Sequence, residues 1–119
     1  MLKVYEYAKC STCVKALKFL DAKKVKYEKL PIVDKVPSQK ELKEMLSSLK
    51  ENGGGLRQLF NTSGVLYKEM KLSDKLADMS EAEAIKLLSE HGKLIKRPFV
   101  IGDGIHLVGF KEDQWEDTI

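Results

Sequence analysis

The two cysteines of the chain, Cys10 and Cys13, form a C-x-x-C motif that follows a short apolar segment and begins a predicted helix. A thiol at the first turn of a helix meets backbone N–H groups without intrahelical partners and the positive end of the helix dipole, and both favour the thiolate. A second thiol three residues later lies one turn further on, close enough to form a disulfide with the first. The pair is therefore predicted to be a redox couple.

The spacing of the apolar residues predicts different environments for the two sulfurs. Cys13 is followed at helical spacing by Ala16, Leu17 and Leu20, so it shares the stripe that faces the core. Cys10 precedes this stripe and should be the more exposed thiol. We therefore expect Cys10 to attack a substrate and Cys13 to resolve the intermediate.

Length and composition indicate one soluble domain spanning residues 1–119. The chain has 119 residues, of which 43% are hydrophobic and 33% charged. No apolar run approaches the roughly 20 residues that a membrane span needs, and the N-terminus lacks the apolar block of a signal peptide. A cytoplasmic location is predicted, where thiols stay reduced and a C-x-x-C is more often catalytic or regulatory than structural. A net charge of only +3 argues against direct nucleic-acid binding.

Local patterns predict an α/β fold in which strands enclose a helical segment. Strands are expected at 2–7 and 25–30, on either side of the helix that begins at the cysteines. Capping boxes at 38–41 and 80–83 begin further helices. A Gly-Asp-Gly turn at 102–104, between the apolar segments 99–101 and 105–108, indicates a hairpin. A last helix is expected at 111–118.

This element order is that of a thioredoxin-like fold with a mixed four-stranded sheet. Residues 1–36 and 93–119 are expected to form the thioredoxin-fold core, with a helical insertion at 37–92 between the second and third strands. Thioredoxin folds carry a proline, usually cis, just before the third strand and against the active-site sulfurs, and Pro98 falls at that place.

The sequence resembles the arsenate reductase/Spx family in four segments, residues 5–13, 56–61, 95–101 and 109–113. The resemblance implies that the first cysteine is the nucleophile and that arginines bind an oxyanion and stabilise the thiolate. Its arginines map onto Arg57 and Arg97, which are assigned to substrate binding together with Thr12.

Two departures from the family pattern bear on the reaction. The place of a third family arginine is occupied by Gly109, and Cys13 replaces the serine common in monothiol arsenate reductases. Both favour dithiol chemistry over the reduction of arsenate.

The resemblance leaves two functions open. The first is an arsenate reductase-like thiol–disulfide oxidoreductase without a bound cofactor, acting on a small anionic or disulfide substrate, with arsenate as a candidate. Glutathione, glutaredoxin or thioredoxin would be its reductant. The second is a Spx-like redox-sensing transcriptional regulator that binds the C-terminal domain of the RNA polymerase α subunit. Such regulators contact the polymerase near a glycine in the region of 53–55, although a helix stop followed by a flexible loop explains these glycines better.

A C-x-x-C motif also occurs in zinc sites, which need two more ligands. Only His91 and His106 are available as histidine ligands, and they lie in different predicted elements without the spacing of a zinc knuckle. No metal is therefore expected.

Overall fold

The computed structural model describes all 119 residues, and it confirms an α/β fold with a mixed four-stranded sheet. The strands lie in the order β2-β1-β3-β4; β1 is parallel to β2 and antiparallel to β3, and β3 is antiparallel to β4. The strand bounds are β1 Leu2–Glu6, β2 Tyr27–Pro31, β3 Phe99–Gly102 and β4 Ile105–Val108. The parallel pair is joined through α1, Ser11–Ala22, which places the cysteine motif at the end of β1.

The segment between β2 and β3 is helical. It contains α2 to α5 and short 3-10 turns at 56–59, 76–78 and 92–94, and the last helix, α6, follows β4. The helix bounds are α2 Gln39–Glu51, α3 Val65–Glu69, α4 Leu72–Lys75, α5 Glu81–Glu90 and α6 Glu112–Thr118.

Both predicted capping boxes are present. The hydroxyl of Ser38 accepts a hydrogen bond from the backbone N–H of Glu41 at 3.1 Å, and Ser80 does the same for Glu83 at 3.1 Å. At the other end of α2, Gly53 has a φ of +85°, a conformation that glycine adopts without strain. The glycine run therefore acts as a helix stop.

Hydrophobic clusters cover both faces of the sheet because successive strand side chains point to opposite sides. Val4 on β1 packs with α1 and with Trp115 of α6, whereas the neighbouring Tyr5 packs with the helical insertion. Three residues, 7–9, connect the end of β1 to Cys10, so the motif lies just beyond the point where the strand leaves this double-sided core.

The strand limits differ slightly from those predicted. β1 ends at Glu6 and β2 begins at Tyr27, two residues later than expected. Lys24 has a φ of +57° and the N–H of Val25 donates to the Leu20 carbonyl at 3.0 Å. These contacts keep Val25 in the turn that ends α1.

None of the helices is both long enough and apolar enough to cross a membrane.

Candidate active site

Cys10 is the N-cap residue of α1, and its extended backbone has φ −94° and ψ 115°. Its sulfur accepts a hydrogen bond from the backbone N–H of Cys13 at 3.4 Å. The thiol thus occupies the position in which Ser, Thr or Asp oxygens usually cap a helix. A negative charge on this sulfur is favoured by both the N–H group and the helix dipole.

The pKa of Cys10 is lowered from its ordinary value, although the largest single influence opposes this. Burial of the half-exposed thiol raises the pKa, but the backbone N–H and thiol of Cys13 and the guanidinium of Arg97 together outweigh it. A lowered pKa increases the fraction of Cys10 that is present as the thiolate.

Cys13 has the opposite character. Its side chain is fully buried, and burial is the main cause that raises its pKa to about 12. The neighbouring Cys10 raises it further through a hydrogen bond and its negative charge, while the Tyr7 backbone and Arg97 act in the other direction. In the dithiol state Cys13 keeps its proton.

Arg97 is held beside the motif by the loop that leads into β3. Its guanidinium lies 4.7 Å from the centre of the Tyr7 ring, and its Nη1 donates to the Lys93 carbonyl at 3.5 Å. Its Nε is buried without a hydrogen-bond partner. The peptide bond between Arg97 and the buried Pro98 is cis.

A cleft of about 580 Å³ opens at Cys10. The side chains that line it include four cations and no carboxylate, and Thr12 and Ser11 from the first turn of α1 also contribute. The cations are Lys9, Lys96, Arg97 and Lys111. Electrostatics in the cleft therefore favour an anionic ligand, as they favour the thiolate.

Arg57 is not part of this cleft, contrary to its expected place beside the thiol. The 3-10 turn buries Leu59 in the core and leaves Arg57 exposed, and the arginine lines a separate cavity with Tyr67 and Leu76. Of the expected set, the structure brings together Cys10, Cys13, Thr12, Arg97 and Pro98.

Asn61 reaches the cleft from the segment to which Arg57 belongs. The backbone N–H of Asn61 donates to the Leu94 carbonyl at 2.7 Å, and the N–H of Lys96 donates to the Leu59 carbonyl at 2.7 Å. These bonds fix the two segments side by side. Asn61, Lys96 and Lys111 were not among the predicted site residues, yet each lies in a segment that carries the family resemblance. Their place in these segments was the one signal in the sequence that could have identified them as site residues.

No group of three His, Cys, Asp or Glu side chains lies close enough together to hold a metal ion. His106 lies 4.0 Å from Glu44, and His91 ends α5. Neither histidine lines the cleft at Cys10.

Comparison with known proteins identifies the family to which this geometry belongs. A profile described as "ArsC family" matches residues 5–118. The chain belongs to the ArsC family. Among solved structures, this ArsC-family chain is similar to SACOL0876 of Staphylococcus aureus, with 42% identity, coverage of 99% of this chain and 98% of that one, and a TM-score of 0.84.

Curated relatives of this ArsC-family chain include an arsenate reductase and Spx transcriptional regulators. It is 34% identical to an arsenate reductase of Haemophilus influenzae over 82% of this chain and 81% of that protein. It is 28% identical to the global transcriptional regulator Spx of Streptococcus pneumoniae over 96% of this chain and 82% of that protein. Both similarities support a role for this chain within the ArsC family.

Proposed function

We propose that this chain is a thiol–disulfide oxidoreductase in which Cys10 is the nucleophile and Cys13 the resolving thiol. The observation that carries the proposal is the contrast between the two sulfurs. The Cys10 thiol is half-exposed, has a lowered pKa and opens into a cationic cleft. The Cys13 thiol, one helical turn away, is buried and has a raised pKa.

In the first step the Cys10 thiolate attacks one sulfur of a substrate disulfide. A bond forms between Cys10 and that sulfur, the substrate S–S bond breaks, and the other half leaves as a thiolate. Thr12, at the first turn of α1, and the Arg97 guanidinium line the space in which the substrate would lie.

In the second step Cys13 attacks the Cys10 sulfur and releases the remaining half of the substrate as a thiolate. Once Cys10 is bound in a mixed disulfide, it no longer carries the negative charge that helps raise the pKa of Cys13. Cys13 then loses its proton more readily. The dithiol becomes a Cys10–Cys13 disulfide, and two electrons pass to the substrate.

Arsenate would follow the same sequence. Cys10 would displace water from arsenic to form a sulfur–arsenic bond, and attack by Cys13 on Cys10 would leave the electron pair of that bond on arsenic. Arsenite and the Cys10–Cys13 disulfide would be the products. An external thiol, such as glutathione, glutaredoxin or thioredoxin, would restore the dithiol. The cytoplasmic location of this cycle stays a prediction.

Turnover assays test this function directly. The protein is given either arsenate or a small disulfide as substrate, with glutathione plus glutaredoxin or with thioredoxin as the reductant. We expect turnover with at least one combination, and its loss in Cys10→Ser. Lys86→Met, which changes an exposed lysine of α5 outside the cleft, is the control. Absence of turnover with every combination contradicts the enzymatic proposal.

A redox-sensing regulator is the second candidate, favoured by the similarity to Spx proteins. Its geometric support is weaker, because Gly53 is accounted for by the end of α2. A pull-down with the C-terminal domain of the RNA polymerase α subunit, with the pair reduced or oxidised, tests it. Capture that depends on the oxidation state supports the regulator, and no capture in either state excludes it.

A further inference from the structure

Gly109 leaves space for the side chain of Lys96 at the wall of the cleft. Gly109 has a φ of +70°, and a Cβ built on it would lie 2.9 Å from the Cε atom of Lys96 and 3.8 Å from its Nζ atom. The alkyl chain of Lys96 therefore passes through the space that any side chain at position 109 would need. The absence of a side chain there is a condition for the observed position of the ammonium group.

The ammonium group of Lys96 forms no ion pair. Lys96 is half-buried and lines the cleft together with Cys10 and Arg97. A cation without a carboxylate partner, in the same cleft as a nucleophilic sulfur, is free to meet a negative charge on an incoming molecule.

We propose that Lys96 is a specificity-determining residue that binds an anionic group of the substrate, a carboxylate or an oxyanion, next to the atom that Cys10 attacks. This inference rests on the proposed function and names the chemical class of its substrate. Gly109, where the sequence resemblance placed an absent arginine, contributes by making room for Lys96. The positive charge at this wall comes from the loop before β3 instead of from the residue that follows β4.

The test compares two alkylating agents on Cys10 that differ in charge, the anionic iodoacetate and the neutral iodoacetamide. Both react with the same thiolate, so the ratio of their rate constants reports attraction of the anion and is independent of the thiolate fraction. We expect Lys96→Met to lower this ratio roughly fivefold, as for a partly exposed charge pair. Lys96→Arg should keep the ratio within about twofold, and Lys86→Met is the control.

A second arm uses inorganic phosphate as the oxyanion probe. Phosphate should slow the alkylation of wild-type Cys10 by iodoacetamide, and Lys96→Met should weaken this protection. Loss of the iodoacetate preference alone assigns Lys96 to carboxylates, and loss of phosphate protection alone assigns it to oxyanions. If Lys96→Met changes neither quantity, the inference is wrong.

Gly109→Ala separates the contribution of Gly109 from that of Lys96. The new methyl group would displace the end of Lys96. Introduced into the wild-type protein, Gly109→Ala should therefore lower the ratio of the iodoacetate and iodoacetamide rate constants. Introduced into Lys96→Met, it should lower this ratio no further. An equal fall in both backgrounds would show that position 109 acts independently of Lys96. Slow alkylation of the wild type by iodoacetamide would instead count against the proposed function, so the two failures are distinguishable.

Discussion

At the residue scale, two identical side chains three positions apart have opposite properties. Cys10 caps α1 and Cys13 is buried beneath it, so the same helix start lowers the pKa of one thiol while burial raises that of the other. The sequence was sufficient to predict this contrast, because the apolar stripe begins at Cys13.

Replacing Arg97 by Met tests whether its guanidinium stabilises the Cys10 thiolate. Loss of the guanidinium should raise the pKa of Cys10, because it removes a hydrogen bond and a positive charge that both lower this pKa. Since only the thiolate reacts, the rate of alkylation by iodoacetamide falls as the pH drops through that pKa. The midpoint of this profile should therefore move upward in Arg97→Met, and the rate at pH 7 should fall.

The wild-type midpoint provides a second criterion. The midpoint of the wild-type profile should lie below roughly 8.5, the pKa of an unperturbed cysteine. Arg97→Lys keeps a cation but loses the planar group that stacks on Tyr7, so its midpoint should fall between those of the wild type and Arg97→Met. Equal midpoints in all three proteins would exclude a role for Arg97 in thiolate stabilisation.

Arg57, which the resemblance assigned to substrate binding, lines a different cavity from Cys10. Arg57 and Asn61 lie within one short segment, and only the turn around the buried Leu59 decides which of them reaches the cleft. That turn is fixed by an isolated bridge between Phe60 and Ile95. A contact between residues so distant along the chain leaves no periodicity in the sequence.

At the element scale, α6 supports one wall of the cleft through a single aromatic residue. Trp115 is fully buried, its Nε1 donates to the Gly109 carbonyl at 3.1 Å, and its ring meets that of Phe110 edge-on at 4.9 Å. Gly109 and Phe110 both line the cleft. The last helix therefore positions the loop opposite Cys10.

Trp115→Phe should lower the free energy of unfolding by about 2 kcal/mol, because it removes ring volume and leaves the Gly109 carbonyl without its donor. Urea denaturation at neutral pH measures this change. Gln114→Ala, on the exposed side of the same helix, should stay within about 0.5 kcal/mol of the wild type. Equal stability of Trp115→Phe and Gln114→Ala would contradict the anchoring role.

Elements with strong local signals were predictable, and those that depend on packing were not. The capping boxes of α2 and α5 and the hairpin of β3 and β4 follow from short motifs. The short helices α3 and α4 are separated by Lys71 in the left-handed conformation, with φ +53°. They are stabilised by burial of Tyr67 and Leu72, which local propensity does not reveal.

At the scale of the whole molecule, the site exists because segments distant in sequence meet at one end of the sheet. The motif after β1, the segment around Asn61, the loop before β3 and the residues after β4 all line one cleft. The parallel pairing of β1 with β2 and the antiparallel pairing of β3 with β4 were predictable from the β-α-β pattern and the hairpin, whereas the pairing of β1 with β3 was not predicted. The meeting of the insertion with the loop before β3 became visible only in the structure.

The central claim, that Cys10 attacks and Cys13 resolves, is tested most directly by trapping the mixed disulfide. Cys13→Ser and Cys10→Ser are each mixed with a small disulfide, and the adduct on each protein is measured by intact mass spectrometry. We expect a stable adduct at Cys10 in Cys13→Ser, because no resolving thiol remains. Cys10→Ser, whose remaining thiol is buried with a raised pKa, should form none. A stable adduct on Cys13 in Cys10→Ser, with none on Cys10 in Cys13→Ser, would contradict the account.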